Sequence, residues 1–240
     1  MSLENAVVKP IDLSELPKNN VTFFPGVKPK IKYKKSSSGY TSTGKRIAQA
    51  AQRIPPEVLP ALKNYFLSGK KTRYGKRNWV MLLLGINVGL RCGDLAKLRV
   101  GDIMFEGAVK SEVTYRAQKT RTTEWFYIND ELKPVLLEYV SGLKDKSDNA
   151  WLFPGERGEG LSTDGVYKIF CRAQKDLGLD FHMSTHSMRK TFGRNVYESK
   201  GMDVARELLR HRDNKSTLHY IGVTEEERRG HAMQLPTIGL

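Results

Sequence analysis

Apolar positions recur at helical spacing along most of the chain from Ile54 onward and thin out before it. Pro55 and Pro56 open a helical stretch over Glu57 to Leu67, which Gly69 closes: proline suits a first helical turn and glycine a helix end. Asn78 to Val88 is apolar on nearly every side and predicts a helix buried in the core, stopped by Gly89. A short helix is expected over Gly93 to Leu98. Ser111 to Arg116 and Thr123 to Ile128 read as two strands joined by a tight basic turn. Helices are expected again over Glu131 to Val140, Thr163 to Leu177, 186–198, 202–210 and 215–221, ahead of a polar tail. Leu152-Phe153-Pro154 reads as a short extended piece. No internal repeat is evident. The pattern predicts class α+β, mostly helical with one small antiparallel sheet.

Charge changes the picture of the first fifth of the chain. The 240 residues carry 40 Lys and Arg against 26 Asp and Glu, a formal charge of +14. Such an excess favours an anionic partner, with nucleic acid first and a membrane surface second. Residues 1–46 alone have a net charge of +6, and from Lys28 to Arg53 there are eight basic side chains and no acidic one. Pro25, Pro29, Ser36, Ser37, Ser38 and Gly39 interrupt any apolar period there. The segment reads as an extended basic arm, or as a linker whose lysines only keep it in solution. If it is an arm, Lys28, Lys30, Lys32, Lys34, Lys35, Lys45 and Arg46 are candidate phosphate contacts. The longest apolar stretch, Trp79 to Leu90, is 12 residues and contains Asn87, too short to span a bilayer. No secretory signal is visible, and two cysteines, Cys92 and Cys171, build neither a disulfide framework nor a Cys-rich zinc site. A reduced, cytoplasmic protein is expected.

The chemistry points the same way. No G-x-x-x-x-G-K-[ST], G-x-G-x-x-G or H-E-x-x-H occurs, and the acidic residues form no obvious metal cluster. Work on an anion therefore falls to Arg, Lys, His and hydroxyls. In Thr185-His-Ser-Met-Arg-Lys-Thr-Phe-Gly193, helical spacing puts His186, Arg189 and Gly193 on one face, and Met188, Phe192 and Val196 on a second, core-facing one. The first face offers two phosphate-competent donors beside a glycine that admits a backbone; it reads equally as a surface helix start with a histidine cap. Leu208-Leu-Arg-His211 precedes Thr217 and Tyr220, which alone says little, since most tyrosines are packing residues. Arg91 closes a buried helix with Asp94 three residues on, a pair that alone reads as a helix-end salt bridge.

The order and spacing of these boxes resemble the catalytic domain of the tyrosine recombinases, the phage-integrase family. Gly89-Leu90-Arg91 with Asp94-Leu95 resembles its first arginine box, with Asp94 where the pattern usually has Glu; His186-x-x-Arg189 resembles its second. His211 and Tyr220 stand at the family's separation of second histidine and nucleophile, and Lys119, within Gln118-Lys-Thr120 in the turn between the predicted strands, matches the family's lysine. Arg121 and Lys190 are further candidate DNA contacts. The resemblance covers roughly residues 47–230, leaving 1–46 as an arm and 231–240 as a tail. It is closest to the short, stand-alone integrases of bacteria and mobile elements. Two features depart from the family. Arg210 stands where a small residue usually precedes the histidine. Residues 1–46 are also too few and too polar for the second helical DNA-gripping domain that most members carry; a short member, a piece of a longer chain and a degenerate copy all fit.

The resemblance implies attack by Tyr220 on a phosphodiester of double-stranded DNA, leaving a 3′-phosphotyrosyl link and a free 5′-hydroxyl. It implies Arg91 and Arg189 on the non-bridging oxygens, His186 and His211 as further donors or a proton relay, and Lys119 as the acid for the leaving oxygen. No metal or nucleotide cofactor is implied. Partners would be DNA and, on paired sites, further copies of the chain as a tetramer, in the cytoplasm and associated with the nucleoid. A regulator that keeps the fold without cleaving, and a basic protein that coats nucleic acid, are the alternative readings.

Overall fold

The computed structural model describes residues 51–68 and 74–234. The expected arm, with Lys28, Lys30, Lys32, Lys34, Lys35, Lys45 and Arg46, lies outside the described residues, as does Gly69.

Pro55 and Pro56 lead into a 3-10 turn, Pro56–Val58, that continues as α1 (Leu59–Leu67). First-turn N–H groups have no intrahelical partner to lose, so proline is tolerated there. α2 (Gly75–Val88) begins about a turn before the expected Asn78. Its Val80, Met81, Leu82, Leu84 and Val88 are all buried, because α1, α5 (Lys133–Ser141) and α7 (Ser187–Lys200) pack around it. Each such side chain contributes about 1.5–3 kcal/mol by leaving water. Gly89 ends α2 in the left-handed region at φ 67, and a Cβ there would lie 2.1 Å from the Phe192 ring. Only glycine meets both demands. The chain then turns out through Arg91 into α3 (Cys92–Ala96).

α4 (Val100–Ile103) and a small hairpin of β1 (Met104–Phe105) and β2 (Ala108–Val109) were not expected. Two-residue strands have too few positions to show a period. β3 (Glu112–Arg116) and β4 (Thr123–Tyr127) form the expected antiparallel pair, with Glu112 opposite Tyr127 and Arg116 opposite Thr123. One sheet was expected; among the described residues there are two, each of two strands. Along β4 the inward positions are Glu124 and Phe126, while Trp125 and Tyr127 are exposed. The turn between the strands is closed by Ala117 N–H on Thr122 O at 2.9 Å and Arg121 N–H on Ala117 O at 2.8 Å.

α6 (Thr163–Leu177) buries Val166, Phe170 and Ala173 and is capped by Ser162, whose Oγ accepts from Gly165 N–H at 3.0 Å. α7 packs on α2 and also on α8 (Met202–Leu208) and α9 (Asn214–Ile221). It is thus enclosed on both sides, which corrects the division of its faces. Arg189 and Gly193 are as buried as Met188, whereas Phe192 and Val196 are only half-buried. Gly193 admits side chains rather than backbone: a Cβ would meet Leu209 at 2.6 Å and Ile221 at 2.9 Å. The helix expected over 202–210 stops at Leu208, because Arg210 adopts a left-handed φ of 51.

The expected polar tail includes α10 (Glu225–Met233). Its start is a reciprocal cap, with Glu227 N–H on Thr224 Oγ1 at 3.1 Å and Thr224 N–H on the Glu227 carboxylate at 2.9 Å. Glu227 also pairs with the buried Arg194 of α7 at 3.0 Å. Among the described residues no helix is long and apolar enough to cross a membrane.

Candidate active site

Four places far apart in sequence meet around Tyr220: the C-terminal end of α2, the β3–β4 turn, the start of α7, and the α8–α9 segment. Arg189 ties two of them together. Its buried guanidinium donates through Nη1 to Gly89 O, which ends α2, at 2.5 Å, and through Nη2 to Leu209 O, just past α8. Both acceptors are helix-end carbonyls lacking an intrahelical donor, so one side chain satisfies two chain ends and fixes their separation.

Tyr220 lies on α9, held by the Asp213 cap, whose Oδ1 accepts from Ser216 N–H at 2.7 Å. The His211 ring stands edge-on to the Tyr220 ring with centroids 5.0 Å apart, and the His186 ring lies at 6.5 Å. His211 Nδ1 contacts Thr217 Oγ1 at 3.2 Å, which leaves Nε2 for a ligand. Lys190 Nζ lies 5.3 Å from the centre of the Tyr220 ring. His186 precedes α7 but makes no side-chain cap, so its imidazole is not committed to the helix. The Tyr220 hydroxyl is buried and has no hydrogen-bond partner among the described residues, although the Arg189 guanidinium is near enough to pull its pKa down.

Arg91 is placed by the Gly89 turn. Its Nη1 also has no hydrogen-bond partner among the described residues. The helix-end pair with Asp94 does not form: Asp94 Oδ1 instead accepts from Gln118 N–H at 2.8 Å, and Gln118 Nε2 donates to Gly93 O at 3.0 Å. These two bonds fasten the β3–β4 turn, and with it Lys119, to the first arginine box. Lys119 is exposed on that turn, close enough to His186 for its charge to act on the imidazole. Arg121 is exposed on the same turn at φ 58, and the structure does not bring it into the group around Tyr220.

One member of this neighbourhood escapes sequence reasoning. Glu124 points inward from β4, its carboxylate 3.8 Å from Arg91 Nη1 and 3.0 Å from Arg210 Nη1. Tyr115 OH and Thr120 Oγ1 also donate to it, at 2.8 and 3.0 Å. The available signal was a carboxylate at an inward position of a strand, which needs a partner to be buried.

The electrostatics suit an anion. Burial pushes the Tyr220 phenol above its ordinary range, and Arg189 and Arg91 pull against that rise. Partial burial, then the charges of Lys190, Arg189 and Lys119, hold the His186 imidazolium pKa below the ordinary 6.5. Burial, then Arg189 and Arg91, do the same for His211 against Asp213. Both histidines are therefore neutral at neutral pH, able to accept a proton.

Relatives of known name and structure share this fold. "Probable integrase/recombinase YoeC" of Bacillus subtilis is 30% identical over 175 residues, covering 72% of this chain and 90% of that one. Tyrosine recombinase XerD of Listeria innocua is 29% identical over 167 residues, covering 66% of this chain and 54% of its own, so the chain spans about half the length of that relative. A crystal structure of XerA recombinase superimposes with a TM-score of 0.61 at 17% identity, over 80% of this chain and 68% of that one. One of XerH site-specific recombinase bound to its difH substrate gives 0.57 at 16%, over 81% and 59%. Residues 52–227, nearly the whole of the described fold, match the phage integrase family, and the chain belongs to that family.

Proposed function

We propose that the protein is a site-specific DNA recombinase that cleaves and rejoins double-stranded DNA through a 3′-phosphotyrosyl intermediate on Tyr220. The observation that carries this reading is the buried Tyr220 hydroxyl, without a hydrogen-bond partner among the described residues, beside two guanidiniums that act on it and two imidazole rings. An in-line attack on a phosphodiester needs a nucleophile, a base for its proton, donors for the non-bridging oxygens, and an acid for the leaving oxygen. Tyr220 Oη bonds to phosphorus while the bond to the 5′ oxygen breaks. Arg91, with its free N–H, and Arg189 stabilise the charge that builds on the non-bridging oxygens. His211 or His186 takes the phenol proton. Lys119, on the exposed turn, gives a proton to the 5′ oxygen. The phosphotyrosyl bond keeps the energy of the phosphodiester, so a second 5′-hydroxyl can reseal it.

DNA as the partner is supported by the family and by neighbours solved on DNA. Within this reading residues 47–230 are the cleaving unit, residues 1–46 a phosphate-gripping arm and 231–240 a tail. Four protomers assemble on paired sites, and the protein works on the nucleoid. The decisive experiment uses a nicked suicide duplex, whose released fragment diffuses away and traps the intermediate. A denaturant-resistant protein–DNA adduct is expected, formed equally in EDTA, and Tyr220→Phe should abolish it while leaving the gel-shift affinity within about twofold. An adduct that persists in that variant moves the nucleophile to another side chain. No adduct from the unaltered protein, with binding intact, favours the non-cleaving regulator.

A further inference from the structure

Glu124 poses a problem for a phosphate-binding pocket. A carboxylate 3.8 Å from Arg91 Nη1 is a competitor already in place for the cation that the phosphate needs. It is buried, so its attraction for a cation is little screened by water. Yet Arg91 has not closed on it, and Nη1 is left without a hydrogen bond among the described residues. The reason lies at the same carboxylate, whose Oε2 is already occupied by closer donors. Arg210 approaches it at 3.0 Å, and Tyr115 and Thr120 complete its shell of donors.

Arg210 is held there at a cost. Its backbone takes φ 51, a region that side chains with a Cβ avoid. Its guanidinium also donates to Trp125 O and lies over the Trp125 ring, 5.3 Å from the centroid. A glycine would adopt that backbone without strain, so the contacts made by the arginine side chain are what its presence brings.

We infer that Arg210 is a positioning residue: by saturating Glu124 it keeps Arg91 from pairing with that carboxylate and leaves the Arg91 N–H free for a DNA phosphate. Glu124 in turn holds Thr120, the neighbour of Lys119, so one carboxylate braces the first arginine box and the lysine turn together. Arg210 need not touch DNA. This inference rests on the recombinase reading for its consequence, but not for its geometry.

Arg210→Gly suits the local backbone and removes only the side chain. With Arg210 gone, Glu124 draws in Arg91, and cleavage of the suicide duplex at saturating DNA should slow by about tenfold or more, with Kd for DNA moved far less. Arg210→Lys, which keeps the charge, should recover much of the rate. Adding Glu124→Gln to Arg210→Gly removes the competitor while keeping an acceptor for Thr120, and should also raise the rate. Full activity in Arg210→Gly, or a loss rescued by neither second variant, overturns the inference. A parallel titration with inorganic phosphate, read by 31P line broadening, needs no chemistry: affinity should fall in Arg210→Gly and return in the double variant. That phosphate pattern without any adduct from the unaltered protein would sink the recombinase reading and leave the pairing standing; an adduct from the unaltered protein with unchanged phosphate affinity across the variants would do the reverse.

Discussion

Arg91 and Arg189 carry the same charge but are held in different ways, and their variants should fail differently. Arg189 bonds two buried helix-end carbonyls. Truncating it strips both of a donor, at about 1–3 kcal/mol each. Arg189→Ala should therefore lower Tm by several degrees as well as cut cleavage by about 10²–10³-fold. Arg189→Lys should repair little, since an ammonium on a flexible stem cannot bridge two fixed carbonyls. Arg91 makes no such bonds, so Arg91→Ala should lose cleavage to a similar degree with Tm nearly unchanged. Equal loss of Tm in both would contradict this division. The histidines set a pH limit. Their pKa values lie below 6.5, so cleavage should hold steady from pH 8 to about 6.5 and fall only in more acid solution, as the imidazoles protonate. The same shift means that the unfolded chain binds more protons, so these groups also remove stability as pH drops below 6.5. A rate that begins to fall above pH 7 would show that neither histidine acts in its neutral form.

Among the elements, the α2–α3 corner and α10 show how local structure reaches the site. Gly89 must be left-handed, must leave room for Phe192, and must present its carbonyl to Arg189, two residues before Arg91. Gly89→Ala should cost about 1–2 kcal/mol for the backbone and about 1–3 more for the crowding. It should also weaken cleavage beyond the loss of folded protein, since Arg91 moves with the corner. Phe192→Leu should relieve part of the second cost in a double variant. α10 has little apolar surface and depends on its cap and on the Arg194–Glu227 pair. Thr224→Ala should cost about 1 kcal/mol of local stability, visible as faster amide exchange across 225–233 with α7 unaffected.

For the whole molecule the question is grip. The described fold holds the candidate site, while much of the charge lies in residues outside it. If the cations from Lys28 to Arg46 each neutralise a phosphate, deleting residues 1–46 should make the slope of log K against log salt shallower by up to about 6. Specific and random duplexes should lose affinity by similar factors, because phosphate contacts carry no sequence information. An unchanged slope would reduce the segment to a linker.

The sequence by itself determined the class of the fold, its main helices and the β3–β4 hairpin. Hydrophobic period is a local signal; Arg91, Lys119, His186, Arg189, His211 and Tyr220 stood out only through the resemblance of their order and spacing to the tyrosine recombinases, since each box alone reads equally as capping or packing. The sequence could not show which faces of α7 are interior, since polar residues lie all round it: Arg189 and Arg194 are buried by the neighbouring helices while Asn195 and Glu198 stay exposed. Nor could it place Glu124 beside Arg91 and pair it with Arg210, or show why the helix stops at Leu208 before Arg210. Those are contacts between residues far apart in the chain. Charge seeks its partner through space, and only the packing of β4 against the α8–α9 segment decides which partner is within reach.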